Sequence, residues 1–130
     1  MSVTNAISAA GAVAAGGALG SLARHGVNIA IAQMAWRPVP YATAAVNIAG
    51  SAVIGVLAGL IASGRLTMAP TTRVFVFVGL LGGFTTFSSL MLDTLTLTHA
   101  NERTLAMSNV IGQTAIGLAV VYAAYYAAAR

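Results

Sequence analysis

Four apolar stretches, 6–34, 41–63, 74–100 and 104–129, take up nearly all of this 130-residue chain. Each is near or above the ~20 residues that a helix needs to cross a bilayer. In hydrocarbon the backbone finds no water, so a spanning segment has to satisfy its own N–H and C=O groups, as a helix does. The expected fold is therefore an all-α membrane protein, a single four-helix transmembrane domain over 1–130. A composition of 58% hydrophobic and 6% charged residues, with mean hydropathy +0.88, leaves no stretch for a soluble domain. The first stretch has no Arg or Lys at its amino end and runs past a typical signal-peptide core, so it is expected as a mature helix.

The charges constrain partners and orientation. Six arginines, no lysine and no cysteine exclude a disulfide framework and a thiolate metal site. A net charge of +4 spread over helix ends makes no basic stripe, so no nucleic-acid partner is expected. With four spans, Arg65, Arg73 and Arg130 share one side of the membrane, while Arg37 and Arg103 lie on the other. Arg24, near the end of the first span, evens the balance. Orientation follows the bias of Arg and Lys between loops, and here almost none exists. Insertion in both senses, and so an antiparallel homodimer, is compatible with this chain; a single orientation set by small differences is the alternative.

The third stretch contains GLLGGFTTFSSL, Gly79 to Leu90, in which three glycines and the hydroxyls of Thr85, Thr86, Ser88 and Ser89 interrupt an apolar run. The pair Gly82-Gly83 permits unusual backbone angles, and Ser and Thr can re-satisfy backbone groups freed at a break. We read a discontinuous helix. Its exposed carbonyls would suit a cation and its exposed N–H groups an anion. A packing kink built of small residues is the alternative reading.

A four-residue rhythm runs through the other spans. Ala12, Gly16, Gly20 and Arg24 mark the first, a spacing that lets helix backbones approach closely. Arg24 lies about ten residues before its span's end, which favours an aqueous vestibule over snorkelling to the interface. His25 beside it reads as an ordinary interfacial polar residue. Trp36, Arg37, Pro38 and Pro40 form a loop, with Trp36 and Tyr41 as interfacial anchors. In the second span Thr43, Asn47, Ser51, Gly55, Gly59 and Ser63 keep the same spacing. The Asn47 carboxamide either glues helices together or lines a polar path. Asn109, Gln113 and Gly117 continue the rhythm in the fourth span. With Asn47, Ser88 and Ser89 they could line a neutral path whose donors favour an anion or neutral solute over a cation. Phe84 and Phe87 either face lipid or neighbouring helices, or offer electropositive ring edges to an anion. Asp93, one of two acidic residues, either stands near a vestibule or pairs with an arginine.

GGALGSLAR ending at Arg24, ATAAVNIAGS around Asn47 and GLLGGFTTFSS from Gly79 to Ser89 together resemble the Fluc family of small bacterial fluoride channels, also called CrcB proteins. The resemblance covers essentially the whole chain, and its third motif is the most specific. It implies a passive channel, not an enzyme, that exports cytoplasmic fluoride through the bacterial inner membrane and relieves fluoride toxicity. It implies four-helix subunits in an antiparallel, dual-topology homodimer with two pores. It also implies a structural sodium ion (Na+) at the dimer's centre, held by backbone carbonyls that fall on Gly82 and Thr85 of both subunits. Phe87 matches the first pore phenylalanine, Asn47 the pore asparagine and Arg24 the vestibule arginine. Two positions depart from the family's pattern. Leu90 stands where a second pore phenylalanine is usual, and Asp93 stands for a glutamate, one methylene longer. Asn109 and Gln113 occupy positions where relatives carry small hydroxyl residues, and are carried over as pore lining only.

Two other classes fit the sequence less well. A small multidrug-type exporter would need an embedded carboxylate in an early helix, and the first two spans hold none. A non-transporting assembly subunit would explain the small residues but not polar positions on three helices.

Overall fold

The computed structural model describes residues 3–34 and 40–130. Among these residues the chain is helical, without strands. Helix α1 covers Val3–Met34 and α2 Tyr41–Ala62. The third unit is assembled from α3 (Pro70–Arg73), a π-helical segment (Val74–Leu81), α4 (Gly82–Phe84) and α5 (Phe87–His99). Helix α6, Arg103–Ala129, follows. Four units, Val3–Met34, Tyr41–Ala62, Pro70–His99 and Arg103–Ala129, are long and apolar enough to cross a membrane. The third starts earlier than hydropathy suggests, because Pro70 at its first turn brings a preset φ and lacks an N–H only where one would have had no helical partner anyway. The loop residues Trp36, Arg37 and Pro38 lie outside the described residues.

Burial is inverted relative to a water-soluble bundle. Large apolar side chains such as Leu22, Val78, Leu92 and Tyr126 are exposed, whereas Gly16, Gly20, Gly55, Gly59, Thr43, Asn109 and Gln113 are buried. Lipid is as apolar as leucine, so helices associate through close packing and hydrogen bonds, and small or polar residues gather at their contacts.

Two pairs of parallel helices make the body of the chain. In the first pair α1 crosses the third unit along the series 12, 16, 20, 24. A Cβ on Gly16 would stand 2.5 Å from the Phe75 carbonyl oxygen, and one on Gly79 2.9 Å from Gly16 Cα and 3.1 Å from the Ala12 carbonyl oxygen. A Cβ on Gly83 would stand 2.7 Å from the Gly17 carbonyl oxygen. Gly79 and Gly83 thus form a second small-residue pair, four apart, that answers Gly16 and Gly20. In the other pair α2 packs on α6. Asn47 meets Gln113, Gly117 faces Ser51, Gly55 faces Val121 and Gly59 faces Tyr125. Both partners advance by four at each step, so the two helices run in the same direction and rows of the i±4 type lie against one another.

Helix ends are closed by local chemistry. Asn101, at φ 61°, follows the last turn of α5, where the Glu102 N–H reaches the Leu97 carbonyl at 2.9 Å and the Asn101 N–H reaches that of Thr98 at 3.1 Å. This pair of bonds is the Schellman arrangement, and asparagine tolerates the left-handed conformation it requires. It turns α5 tightly into α6, which brings Thr94 and Asn109 within hydrogen-bond reach.

Candidate functional site

Between α4 and α5 the backbone leaves the helix for two residues. Thr85 (φ −83°, ψ 159°) and Thr86 (φ −155°, ψ 115°) are both extended. Thr86 then caps α5: its hydroxyl oxygen accepts from the Ser89 N–H at 3.2 Å and donates to the Ser89 hydroxyl at 3.1 Å. A threonine cap satisfies one of the N–H groups that a helix start leaves unpaired. The Thr86 N–H, which in a continuous helix would donate to the Gly82 carbonyl, donates instead to Asn47 Oδ1 at 2.8 Å.

Asn47 is therefore the residue that holds the extended pair in place. Its Nδ2 donates back to the Thr86 carbonyl at 3.2 Å, so side chain and backbone meet in a two-point pairing like that between strands. The second Nδ2 hydrogen goes to Gln113 Oε1 at 3.0 Å. From there the bonding continues in one sense. Gln113 Nε2 donates to Asn109 Oδ1 at 2.7 Å, Asn109 Nδ2 to Thr94 Oγ1 at 2.9 Å, and Thr94 to the Leu90 carbonyl at 2.8 Å. The relay starts at a backbone N–H of residue 86 and ends on a backbone carbonyl of residue 90, having passed through α2 and α6. Among the described residues no buried side-chain nitrogen or oxygen lacks a partner, as burial of amides in an apolar medium demands.

A groove of about 480 Å³ opens beside this relay, bounded by Asn47, Thr86, Phe87, Leu90 and Gln113 among others. None of its lining residues is ionisable. Its polar character comes from amides, hydroxyls and the first turn of α5, whose N-terminal N–H groups carry partial positive charge.

The residues singled out in the sequence fall in and around this groove and, for Asp93, against Thr43. Asn47, Gly82, Thr85, Phe87, Leu90 and Gln113 line the groove. Phe87 is 71% exposed and Leu90 only 4%, so the leucine is packed inward and the phenylalanine ring stands free on the surface of the chain. Ser88 and Ser89 cluster around the Thr86 hydroxyl, and Asn109 lies one step behind Gln113, buried. Arg24, half-buried, reaches the Thr85 carbonyl from the α1 side through a long 3.4 Å contact. Asp93 accepts a 2.6 Å hydrogen bond from Thr43. Gly50 is a residue the sequence reading passed over: a Cβ there would collide with the Thr85 methyl group, so its hydrogen leaves room for the extended backbone. Its position three residues after Asn47, on the same face, was the available signal. Thr94, the relay's far end, carried no local mark.

Fold and site together define a multi-pass helical membrane protein with a neutral, donor-lined groove beside the extended residues Thr85 and Thr86. The model of the CrcB-like protein family (Camphor Resistance) matches residues 11–125. The fluoride-specific ion channel FluC of Paracoccus denitrificans is 46% identical over 112 residues, 85% of this chain and 86% of that protein. The channel of the same name from Nitrobacter winogradskyi is 40% identical over 86% of this chain and 88% of its own length, and that from Opitutus terrae 42% over 89% of each. The chain belongs to the CrcB family.

Proposed function

We propose that this protein is a fluoride channel that lets cytoplasmic fluoride leave the cell down its electrochemical gradient, and so lowers fluoride toxicity. The observation that carries the reading is the pairing of Asn47 with the extended Thr86 backbone at the wall of a groove without ionisable side chains, in a chain 46% identical to a named fluoride-specific channel. Fluoride is small and holds its water tightly. Amide N–H groups, hydroxyls and the positive ring edge of Phe87 can replace that water, while the absence of a fixed positive charge avoids trapping the ion. A narrow path lined this way disfavours the larger chloride. The protein makes and breaks no covalent bond; it is not an enzyme.

The functional unit we infer is an antiparallel, dual-topology homodimer in the bacterial inner membrane, with the interruption of the third helix near its centre. The near-balance of arginines on the two sides supports it. So does the exposed Phe87 ring, which a single subunit leaves uncovered. The break also fits a resident sodium ion. Extension at Thr85 and diversion of the Thr86 N–H to Asn47 take the Gly82 carbonyl out of ordinary helix pairing, and neutral carbonyl oxygens are the donors a hard monovalent cation prefers. Gly82 and Thr85 would hold it with their counterparts in a second subunit, supplying charge neutralisation where two interrupted helices meet.

Efflux from liposomes, followed with a fluoride electrode and a parallel chloride assay, tests the reading. Fast fluoride release with little chloride is expected; no release from folded dimer would refute it. For topology, the cysteine-free chain allows a single Glu102→Cys variant, at an exposed site of ordinary φ, to be labelled with an impermeant maleimide. Labelling of about half the molecules from each side is expected, and labelling from one side only would contradict dual topology.

A further inference from the structure

Resting on that reading, we propose that Gln113 is a specificity-determining residue: its amide and that of Asn109 reverse when the anion arrives, converting a closed relay into a two-donor site for a small anion.

As it stands, the relay leaves no Asn47 hydrogen for the groove. Asn47 spends both Nδ2 hydrogens, one on the Thr86 carbonyl and one on Gln113 Oε1. The first belongs to a two-point pairing with backbone and is fixed. The second is made to a side chain with three rotatable bonds and a broad terminal torsion. An anion that recruits Asn47 therefore has to displace Gln113 Oε1, an oxygen bearing partial negative charge that already sits on this donor.

The orientation of every amide follows from one anchor. A backbone N–H can only donate, so Thr86 sets Asn47 with Oδ1 towards it. Asn47 then presents Nδ2 to residue 113, which must answer with oxygen, and the same logic sets Asn109 and Thr94. When an anion takes the Asn47 hydrogen, that constraint on Gln113 is lifted. The amide turns and gives its Nε2 to the anion, Asn109 turns and donates to Gln113 Oε1, and the Thr94 hydroxyl rotates from the Leu90 carbonyl to Asn109 Oδ1. The relay contains four bonds before reversal: Asn47 to Gln113, Gln113 to Asn109, Asn109 to Thr94, and Thr94 to Leu90. It contains the same number afterwards, with two of them now on the anion. Bonds to a charged acceptor are roughly twice as strong as neutral ones, so the exchange favours the anion-bound form. A small hydroxyl at residue 113 could not reverse in this way, since it would not span from Asn47 to Asn109.

The sign of one substitution discriminates. Gln113→Met keeps the length and removes both donor and acceptor. If Gln113 donates to the anion, the half-saturating fluoride concentration for efflux rises about tenfold. If Gln113 is only a plug on Asn47, that concentration falls; if it is only structural glue, it does not move. Either result overturns the proposal. Should the variant fail to fold, the wild-type side-chain amide resonances of Gln113 and Asn109 give the answer. Fluoride, and not chloride, is expected to shift both, and unmoved resonances in a protein that conducts fluoride overturn the reversal while leaving the channel reading intact. A folded wild-type dimer that conducts no fluoride overturns both.

Discussion

The two helix crossings of this chain are written in the same four-residue spacing and do opposite things with it. Where α1 meets the third unit, Gly16, Gly20, Gly79 and Gly83 bring backbone against backbone. Where α2 meets α6, the same spacing carries Asn47 and Ser51 against Gln113 and Gly117, and the contact becomes a hydrogen-bonded seam. Further along that seam it reverts to close packing, with Gly55 and Gly59 against Val121 and Tyr125. The lesson is that spacing fixes which residues touch, while side-chain chemistry decides whether the contact is a rigid mount or a lining. The α1 crossing holds the extended Thr85–Thr86 pair from one side; the Asn47 relay holds it from the other.

Substitutions separate the two kinds of contact. The largest effect is expected at the dry crossing. Gly16→Leu forces side-chain atoms into the Phe75 and Leu80 backbone, which cannot yield as a flexible side chain would, and should cost about 3 kcal/mol or more. Loss of a monodisperse species in detergent is the expected readout. Next comes Asn47→Leu, which strands the Thr86 N–H and the Gln113 oxygen and should cost about 2 to 3 kcal/mol, seen as a lowered thermal midpoint. Thr43→Val takes the 2.6 Å hydrogen bond from Asp93 and should cost about 1.5 kcal/mol, with fluoride flux retained. The smallest effect is expected at Gly11→Ala. Nothing lies within 4 Å of a Cβ there, so better helix propensity should raise stability by less than about 1 kcal/mol. A large loss at Gly11 would mean that close packing on α1 extends beyond the crossing with the third unit.

Much of this was readable before any coordinates. Long apolar runs set the four helices, because a bilayer leaves few alternatives. Glycines and hydroxyls inside the third run marked residues 79–90 as unusual, and an isolated carboxamide in an apolar helix marked Asn47. The pairings were not readable. Asn47 is separated from Thr86 by 39 residues and from Gln113 by 66, and nothing local says that three amides should join head to tail. Asp93 could be foreseen as needing a partner, but Thr43 lies 50 residues away and has no charge to announce it. The π-helical course of VFVFVGLL has no local signature either, since its composition suits an α-helix equally well. Sequence shows which residues are expensive to bury; the fold shows who compensates them.

Asn47 pins the extended Thr86 backbone and, in the proposed channel, also supplies a neutral donor to the permeating ion. The most direct measurement is fluoride efflux from liposomes containing Asn47→Asp beside wild type, with the dimer verified for each. An aspartate at this place keeps the acceptor for the Thr86 N–H, loses both donors and adds a repelling charge. Efflux reduced by at least about a hundredfold, with the fold intact, is the expected result. Undiminished fluoride efflux through a folded Asn47→Asp dimer would contradict the account and remove Asn47 from the ion's path.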